Sequence, residues 1–236
     1  FPLRNRGADA TYVAERVQQI AAMIGMEDML NRKARGLTAD GKQKISLGRG
    51  MVREDVNALL FDEPLTVIDP HMKWELRTQL KSLHHEFGHT MIYVTHDQTE
   101  ALTFADKVVV MYDGRVVQMG TPQELFETPQ HTFVGYFIGS PGMNVLDATV
   151  TGDKAVIGGT EISLGQGFGD IGLPVTIKRV EDVGRHKIVR ADFKGNAINV
   201  IAEEGAEISP DMNRVVFDPA GINVYSNSWR VAPQGA

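Results

Sequence analysis

Two short apolar runs, Ala58-Leu59-Leu60-Phe61 and Met91-Ile92-Tyr93-Val94, constrain the fold of this chain more than any other feature. Neither is interrupted by a polar residue, which is the pattern of strands buried on both faces of a parallel sheet. Residues 70 to 87 between them read as a helix, the crossover that parallel neighbours require. A third run, Val108 to Tyr112, meets Arg115-Val116-Val117-Gln118 across Asp113-Gly114, a hairpin signal. Upstream, Val13, Val17, Ile20, Ala21 and Ile24 recur at helical spacing, and Ile45, Leu47 and Met51 mark a second short helix. A further helix is expected around Gln98 to Phe104, and Thr121-Pro122-Gln123-Glu124 is a capping box with proline at the first helical position. Strands alternating with helices up to about residue 138 predict an α/β fold with a mostly parallel sheet.

The character changes after Gly139-Ser140-Pro141-Gly142, where short alternating segments are punctuated by Gly, Asn, Asp and Pro. That pattern predicts a small all-β barrel or sandwich. The expected domains are therefore 1–141 and 142–236. A chain of 236 residues suits one large or two modest domains, and 42% hydrophobic with 23% charged residues excludes a mainly disordered state. The longest apolar runs fall far short of the roughly 18 residues needed to cross a bilayer. The absence of cysteine excludes a disulfide framework and any thiolate metal site, and no basic, then apolar, leader opens the sequence, so a cytosolic setting is expected. The formal charge of −6 is spread over both halves, without the basic excess of a nucleic-acid binder. The first residue is Phe1, so the chain is expected to begin downstream of its gene's start.

The candidate chemistry lies where the strands end. Leu59-Leu60-Phe61-Asp62-Glu63-Pro64 places two carboxylates at the C-terminal edge of an open α/β sheet, where such sheets bind ligands. Asp62 can hold Mg²⁺ through water, and Glu63 can orient or deprotonate an attacking water, as in the Walker B pattern of phosphoryl transfer. A strand ending in two solvated acids is also commonplace. The second strand delivers Thr95-His96-Asp97 to the same edge, where His96 can donate to a γ-phosphate, although a lone histidine after a strand is more often structural. Gly36 through Lys42 nearly fits G-x-x-x-x-G-K-[ST], but position 43 is Gln and a helix precedes it, so the strand, loop and helix context of a P-loop is lacking. His84, His85 and His89 lack a carboxylate or cysteine pattern beyond Glu86 and read as solvated. The basic residues Lys178, Arg179, Arg185, Lys187, Arg190 and Lys194 are diluted by acids and read as a solvated strand face, with nucleic-acid binding a minor alternative.

The order Asp62-Glu63, Asp69, His96 resembles the Walker B, D-loop and H-loop series of ABC-type ATPases. Thr90 to Gln98, Ala101 to Lys107, Gly120-Thr121-Pro122 and Phe137-Ile138-Gly139-Ser140-Pro141 extend the likeness to the ATP-binding subunits of bacterial sugar and polyol ABC importers. Leu37-Thr38-Ala39-Asp40-Gly41 sits where that family carries L-S-G-G-Q, with Thr38 for Ser, Ala39 and Asp40 for the two Gly and Gly41 for Gln. This altered signature and Arg179 to His186 most resemble one ATPase subunit of glycerol importers that use two different ATPases.

The resemblance implies ATP and Mg²⁺ as cofactors, with Asp62 on Mg²⁺, Glu63 as base, His96 on the γ-phosphate and Asp69 as the cross-dimer link. Thr38, Ala39, Asp40 and Gly41 would face the partner's nucleotide. It implies a second ATPase subunit, a heterodimer being favoured over a homodimer, transmembrane permease subunits, and indirectly a periplasmic substrate-binding protein. The subunit would lie peripherally on the cytoplasmic face of the bacterial membrane. The β half is similar in position to the family's OB-like regulatory domain. Phe1-Pro2-Leu3-Arg4 resembles the segment just after the glutamine loop, so the P-loop and glutamine loop are expected to precede this sequence and the chain alone to be inactive. The alternative is a non-catalytic interaction module working through its β half.

Overall fold

In the computed structural model, β1 (Ala58–Asp62) and β2 (Thr90–Val94) pair in parallel from Ala58↔Thr90 to Asp62↔Val94. The structure describes residues 1–164, 172–209, 211–217 and 221–231. The crossover is α3 (Pro70–Phe87), capped by Asp69 with Pro70 at its first position and ended by Gly88 in the left-handed conformation. α4 (Gln98–Phe104) follows β2, so the β-α-β-α order read from the sequence is present.

The two strands depart from the expected double-sided burial. Leu59 and Phe61 are buried and pack with Met91 and Tyr93 in the core, whereas Leu60 is 73% exposed and Ile92 and Val94 about half exposed. Among the described residues nothing covers this second face, and the ladder holds two strands. The core lies on the other side, where Leu65, Leu76 and Leu80 are at most 1% exposed. Each such leucine contributes about 1.5–3 kcal/mol of burial.

The helices α1 (Ala10–Met23) and α2 (Ala39–Met51) complete this first unit, Phe1–Ala105. They approach closely: a Cβ on Gly48 would lie 3.0 Å from Ile24 Cδ1 and 3.3 Å from Ile20 Cγ2. Arg16, 3% exposed, fastens them by donating from Nη2 to Met51 O at 3.0 Å and from Nε to Val52 O at 3.3 Å. Those are carbonyls at the end of α2 that the helix itself leaves without partners.

The second unit, Asp106–Ala236, opens with the hairpin β3 (Val108–Tyr112) and β4 (Arg115–Gly120), whose turn residues Asp113 and Gly114 both have positive φ. α5 (Pro122–Glu127) carries both halves of the expected capping box, Glu124 N–H to Thr121 Oγ1 at 3.2 Å and Thr121 N–H to Glu124 Oε2 at 2.8 Å. α6 (Thr132–Ile138) is capped by His131, whose Nδ1 accepts from Phe133 N–H.

The remaining described elements are strands. β5 (Thr149–Thr151), β6 (Lys154–Ile157) and β7 (Thr160–Ser163) form one meander, and β8 (Leu173–Pro174) pairs elsewhere with β12 (Arg214–Val215). β9 (Thr176–Asp182), β10 (His186–Phe193) and β11 (Asn196–Glu203) form a second meander around buried Phe193 and Ile198. β13 (Tyr225–Ser226) and β14 (Trp229–Arg230) make a short terminal hairpin. These are four separate small sheets among the described residues.

The expected boundary at 141/142 falls inside the second unit. The reason is local: Tyr225 Oη donates to Pro129 O at 2.9 Å, Thr132 N–H to Ser228 O at 2.9 Å, and Arg230 N–H to Gln130 O at 2.8 Å. Trp229 adds an edge-on contact to the His131 ring at 4.9 Å. The last described hairpin is thereby bonded to the corner between α5 and α6.

Candidate functional site

The parallel ladder continues one step past β1, because Glu63 N–H donates to Val94 O at 2.9 Å. This bond sets Glu63 beside the end of β2, from which His96 emerges. His96 Nδ1 lies 2.7 Å from Glu63 Oε1, and Thr66 Oγ1 donates to Glu63 Oε2 at 2.8 Å. Both carboxylate oxygens thus have named partners, and in its protonated form the imidazole carries Nε2–H as a second donor.

Glu63 adopts φ 48°, a left-handed conformation that costs a non-glycine residue roughly 1–2 kcal/mol. The turn is held from α2: Gln43 Nε2 donates to Glu63 O at 2.9 Å, while Gln43 Oε1 accepts from Val67 N–H at 3.3 Å.

The hydrogen bond to ionised Glu63 raises the His96 pKa above its ordinary 6.5, and His96 in turn lowers Glu63 below its ordinary 4.5. His96 therefore contributes stability that is fully present below pH 6.5 and lost as pH rises through its raised value. Glu63 contributes stability present above pH 4.5 and lost as pH falls through its lowered value. The ion pair is complete between those limits. With the His96 side chain 75% exposed, its effect on global stability is small.

Beneath His96 lies a group that the sequence reading passed over. Glu100 is 3% exposed and accepts from Lys73 Nζ at 3.1 Å, Tyr93 Oη at 2.9 Å and Thr95 Oγ1 at 2.9 Å. Its own N–H donates to Asp97 Oδ1 at 3.1 Å. The network ties α3, β2 and the start of α4 to the turn that carries His96, and burial beside Glu100 pushes the Tyr93 hydroxyl pKa upward. The sequence signal was the spacing Asp97-x-x-Glu100, a helix-start pattern. Gln43 had no comparable signal, because its partners lie 20 and 24 residues away, and Thr66 meets Glu63 only three residues back through a turn whose shape the sequence does not show.

The other predicted residues have separate posts. Asp62 is exposed at the last position of β1. Asp69 caps α3 and accepts from His71 N–H at 3.0 Å. Thr38 caps α2, its Oγ1 accepting from Gly41 N–H at 3.2 Å, and Ala39 is the first helical residue. Asp40 Oδ2 lies 3.5 Å from Nζ of Lys44, which is buried. Glu63 and His96 are therefore brought into contact, and α2 reaches them through Gln43.

Among the described residues no cluster of three or more His, Asp or Glu could enclose a metal ion. A single strand-end acid such as Asp62 fits Mg²⁺, which keeps several waters and takes one or two carboxylates plus substrate phosphates. His84 Nδ1 bonds to His89 O at 2.8 Å across the end of α3. Arg190 is engaged by Asn199 Oδ1 at 2.7 Å and Glu181 Oε2 at 3.3 Å.

Glu63 and His96 stand together just past the C-terminal ends of adjacent parallel strands, the edge at which open α/β sheets bind ligands. No family model matches the chain. Among curated proteins, it is 30% identical over 246 residues to the sn-glycerol-3-phosphate import ATP-binding protein UgpC of Jannaschia sp., covering 95% of this chain and 70% of that protein. It is 32% identical to the sulfoquinovosyl glycerol transport ATP-binding protein SmoE of Agrobacterium fabrum, again over 95% of this chain and 70% of the relative. The oligosaccharides import ATP-binding protein MsmX of Bacillus subtilis is 38% identical over 88% of this chain and 60% of its own length. The chain belongs to the family of ABC transporter ATP-binding subunits. It spans about three fifths of the length of relatives such as MsmX. No described helix is long and apolar enough to cross a membrane.

Proposed function

We propose that this chain is part of the ATP-hydrolysing subunit of an ABC importer for a small polyol or sugar, glycerol or a glycerol phosphate first. The observation that carries the reading is the 2.7 Å contact between Glu63 and His96 at the ends of adjacent parallel strands. Glu63 orients the attacking water and accepts its proton, while Thr66 and His96 fix its carboxylate. His96, with Nδ1 committed to Glu63, offers Nε2 to the γ-phosphate. Asp62 would hold Mg²⁺, whose charge offsets that building on the transferred phosphoryl group. Asp69 links across the dimer. Residues 1–141 belong to the ATPase domain and 142–236 to an OB-like regulatory domain.

The working assembly pairs this subunit with a second, different ATPase and with permease subunits on the cytoplasmic face of the membrane, served indirectly by a periplasmic binding protein. The names of the relatives, importers of glycerol-3-phosphate and oligosaccharides, support the substrate class. The test is uptake by proteoliposomes holding the complete assembly. ATP-dependent accumulation of glycerol or glycerol phosphate is expected, and accumulation of no polyol or sugar would overturn the reading.

The signature segment supports the heterodimer. Asp40 sets a carboxylate where the family's loop meets the partner's γ-phosphate, and two like charges ~4 Å apart repel by about 1–4 kcal/mol at effective dielectrics of 80 to 20. Lys44 beside Asp40 holds the effect to the low end. Asp40→Gly in the assembly is therefore expected to raise ATP turnover about two- to tenfold. An unchanged steady-state rate would remove the impaired-site reading.

A further inference from the structure

Gln43 was singled out in the sequence only as the residue that breaks a P-loop match, and the proposed chemistry leaves it without a role. In the structure it is half-buried, one turn into α2, and bonds to both sides of the turn that follows β1. Its amide nitrogen donates to the Glu63 carbonyl at 2.9 Å, and its amide oxygen accepts from Val67 N–H at 3.3 Å. A primary amide can serve a carbonyl and an N–H at once, without charge, from two separate atoms. The residue it grips, Glu63, is the one with φ 48°, a conformation that persists in a non-glycine residue only when its surroundings enforce it. Glu63 N–H is fixed on the other side by Val94 O at 2.9 Å. The peptide groups flanking Glu63 are thus anchored from β2 and from α2, and the carboxylate direction follows from that backbone.

We infer that Gln43 is a positioning residue for Glu63, locking the left-handed turn through its paired bonds to Glu63 O and Val67 N–H so that the carboxylate meets His96. This rests on the reading of Glu63 as the water-orienting base. The arrangement also makes α2, whose first residues are the altered signature, mechanically continuous with the base. Movement at the start of α2 is transmitted to the Glu63 carbonyl through one side chain.

The experiment is a double-mutant cycle on ATP turnover in the complete assembly, with Gln43→Met, Glu63→Gln and the pair. Methionine keeps the length and helix preference of Gln and removes both bonds. The expected result is a kcat lowered about 10- to 100-fold by Gln43→Met, as misplacement of a reacting group produces, with the ATP KM unchanged within about twofold. In the Glu63→Gln background Gln43→Met should cost no further turnover. Wild-type kcat, a KM that rises in step with the loss, or full additivity with Glu63→Gln overturns the positioning role. A Glu63→Gln enzyme with wild-type turnover overturns the base reading and this inference with it. A slow Glu63→Gln enzyme beside a wild-type-like Gln43→Met enzyme overturns the inference alone. If Gln43→Met fails to fold, Gln43→Glu keeps the acceptor for Val67 N–H and loses the donor to Glu63 O. The same fall in kcat supports the inference, and full turnover there refutes it.

Discussion

Glu63→Gln in the intact subunit is expected to lower ATP turnover at least about 100-fold, the scale of losing a positioned general base, while MgATP affinity stays within a few-fold. The amide preserves the volume of the side chain and an oxygen for Thr66. It removes the charge that accepts a proton from water and that holds His96 protonated at Nδ1. Because His96 is 75% exposed and Glu63 is 35% exposed, the substitution is expected to leave folding nearly unaffected, which separates a catalytic loss from a structural one. Single-turnover hydrolysis measured beside a thermal melt makes the distinction. A loss of less than threefold would mean that the water is activated elsewhere.

The 236 residues by themselves are expected to bind MgATP more weakly than about 1 mM, a free energy of about −4 kcal/mol. Nucleotide phosphates are held by arrays of open backbone N–H groups and a lysine, as at a P-loop. The four α-helices of the first unit offer no such array, because each begins with its own side-chain cap: Asp9, Thr38, Asp69 and Asp97. Three of those caps are carboxylates, which repel an incoming phosphate as well as occupying the donors. Isothermal titration of the isolated chain is the measurement. A dissociation constant in the micromolar range would show that these residues hold the nucleotide without a P-loop.

The strands and helices of the first unit were legible because unbroken apolar runs and cap residues are local signals. The Thr121–Glu124 box of α5 was read from four residues, whereas the equally local Asp97 cap of α4 was not read. Asp62, Glu63 and His96 could be placed at one sheet edge because a strand's end fixes where its next residues emerge. Burial was not local: Leu60, Ile92 and Val94 belong to runs that read as covered on both faces, yet in this chain one face has no described layer over it. The left-handed turn at Glu63 was also illegible, since the amide that bonds to its carbonyl from α2, Gln43, lies twenty residues upstream. In the β half, alternation predicted strands but not how their short ladders would be divided, because turn residues do not specify non-local pairing.

The hairpin of β13 and β14 has a consequence for how the molecule is made. Its bonds to residues 129–132 join positions up to 100 apart in sequence. During synthesis the α5–α6 corner emerges long before its partners, so the Pro129 and Gln130 carbonyls and the His131 ring must wait for Tyr225, Arg230 and Trp229. Contacts of such separation form late and slowly, because the intervening loop must close first. A ribosome stalled, or a message broken, within the β half therefore releases a chain whose earlier corner is still open. Quality-control proteases that act on exposed, half-finished elements then have a substrate located well before the break itself.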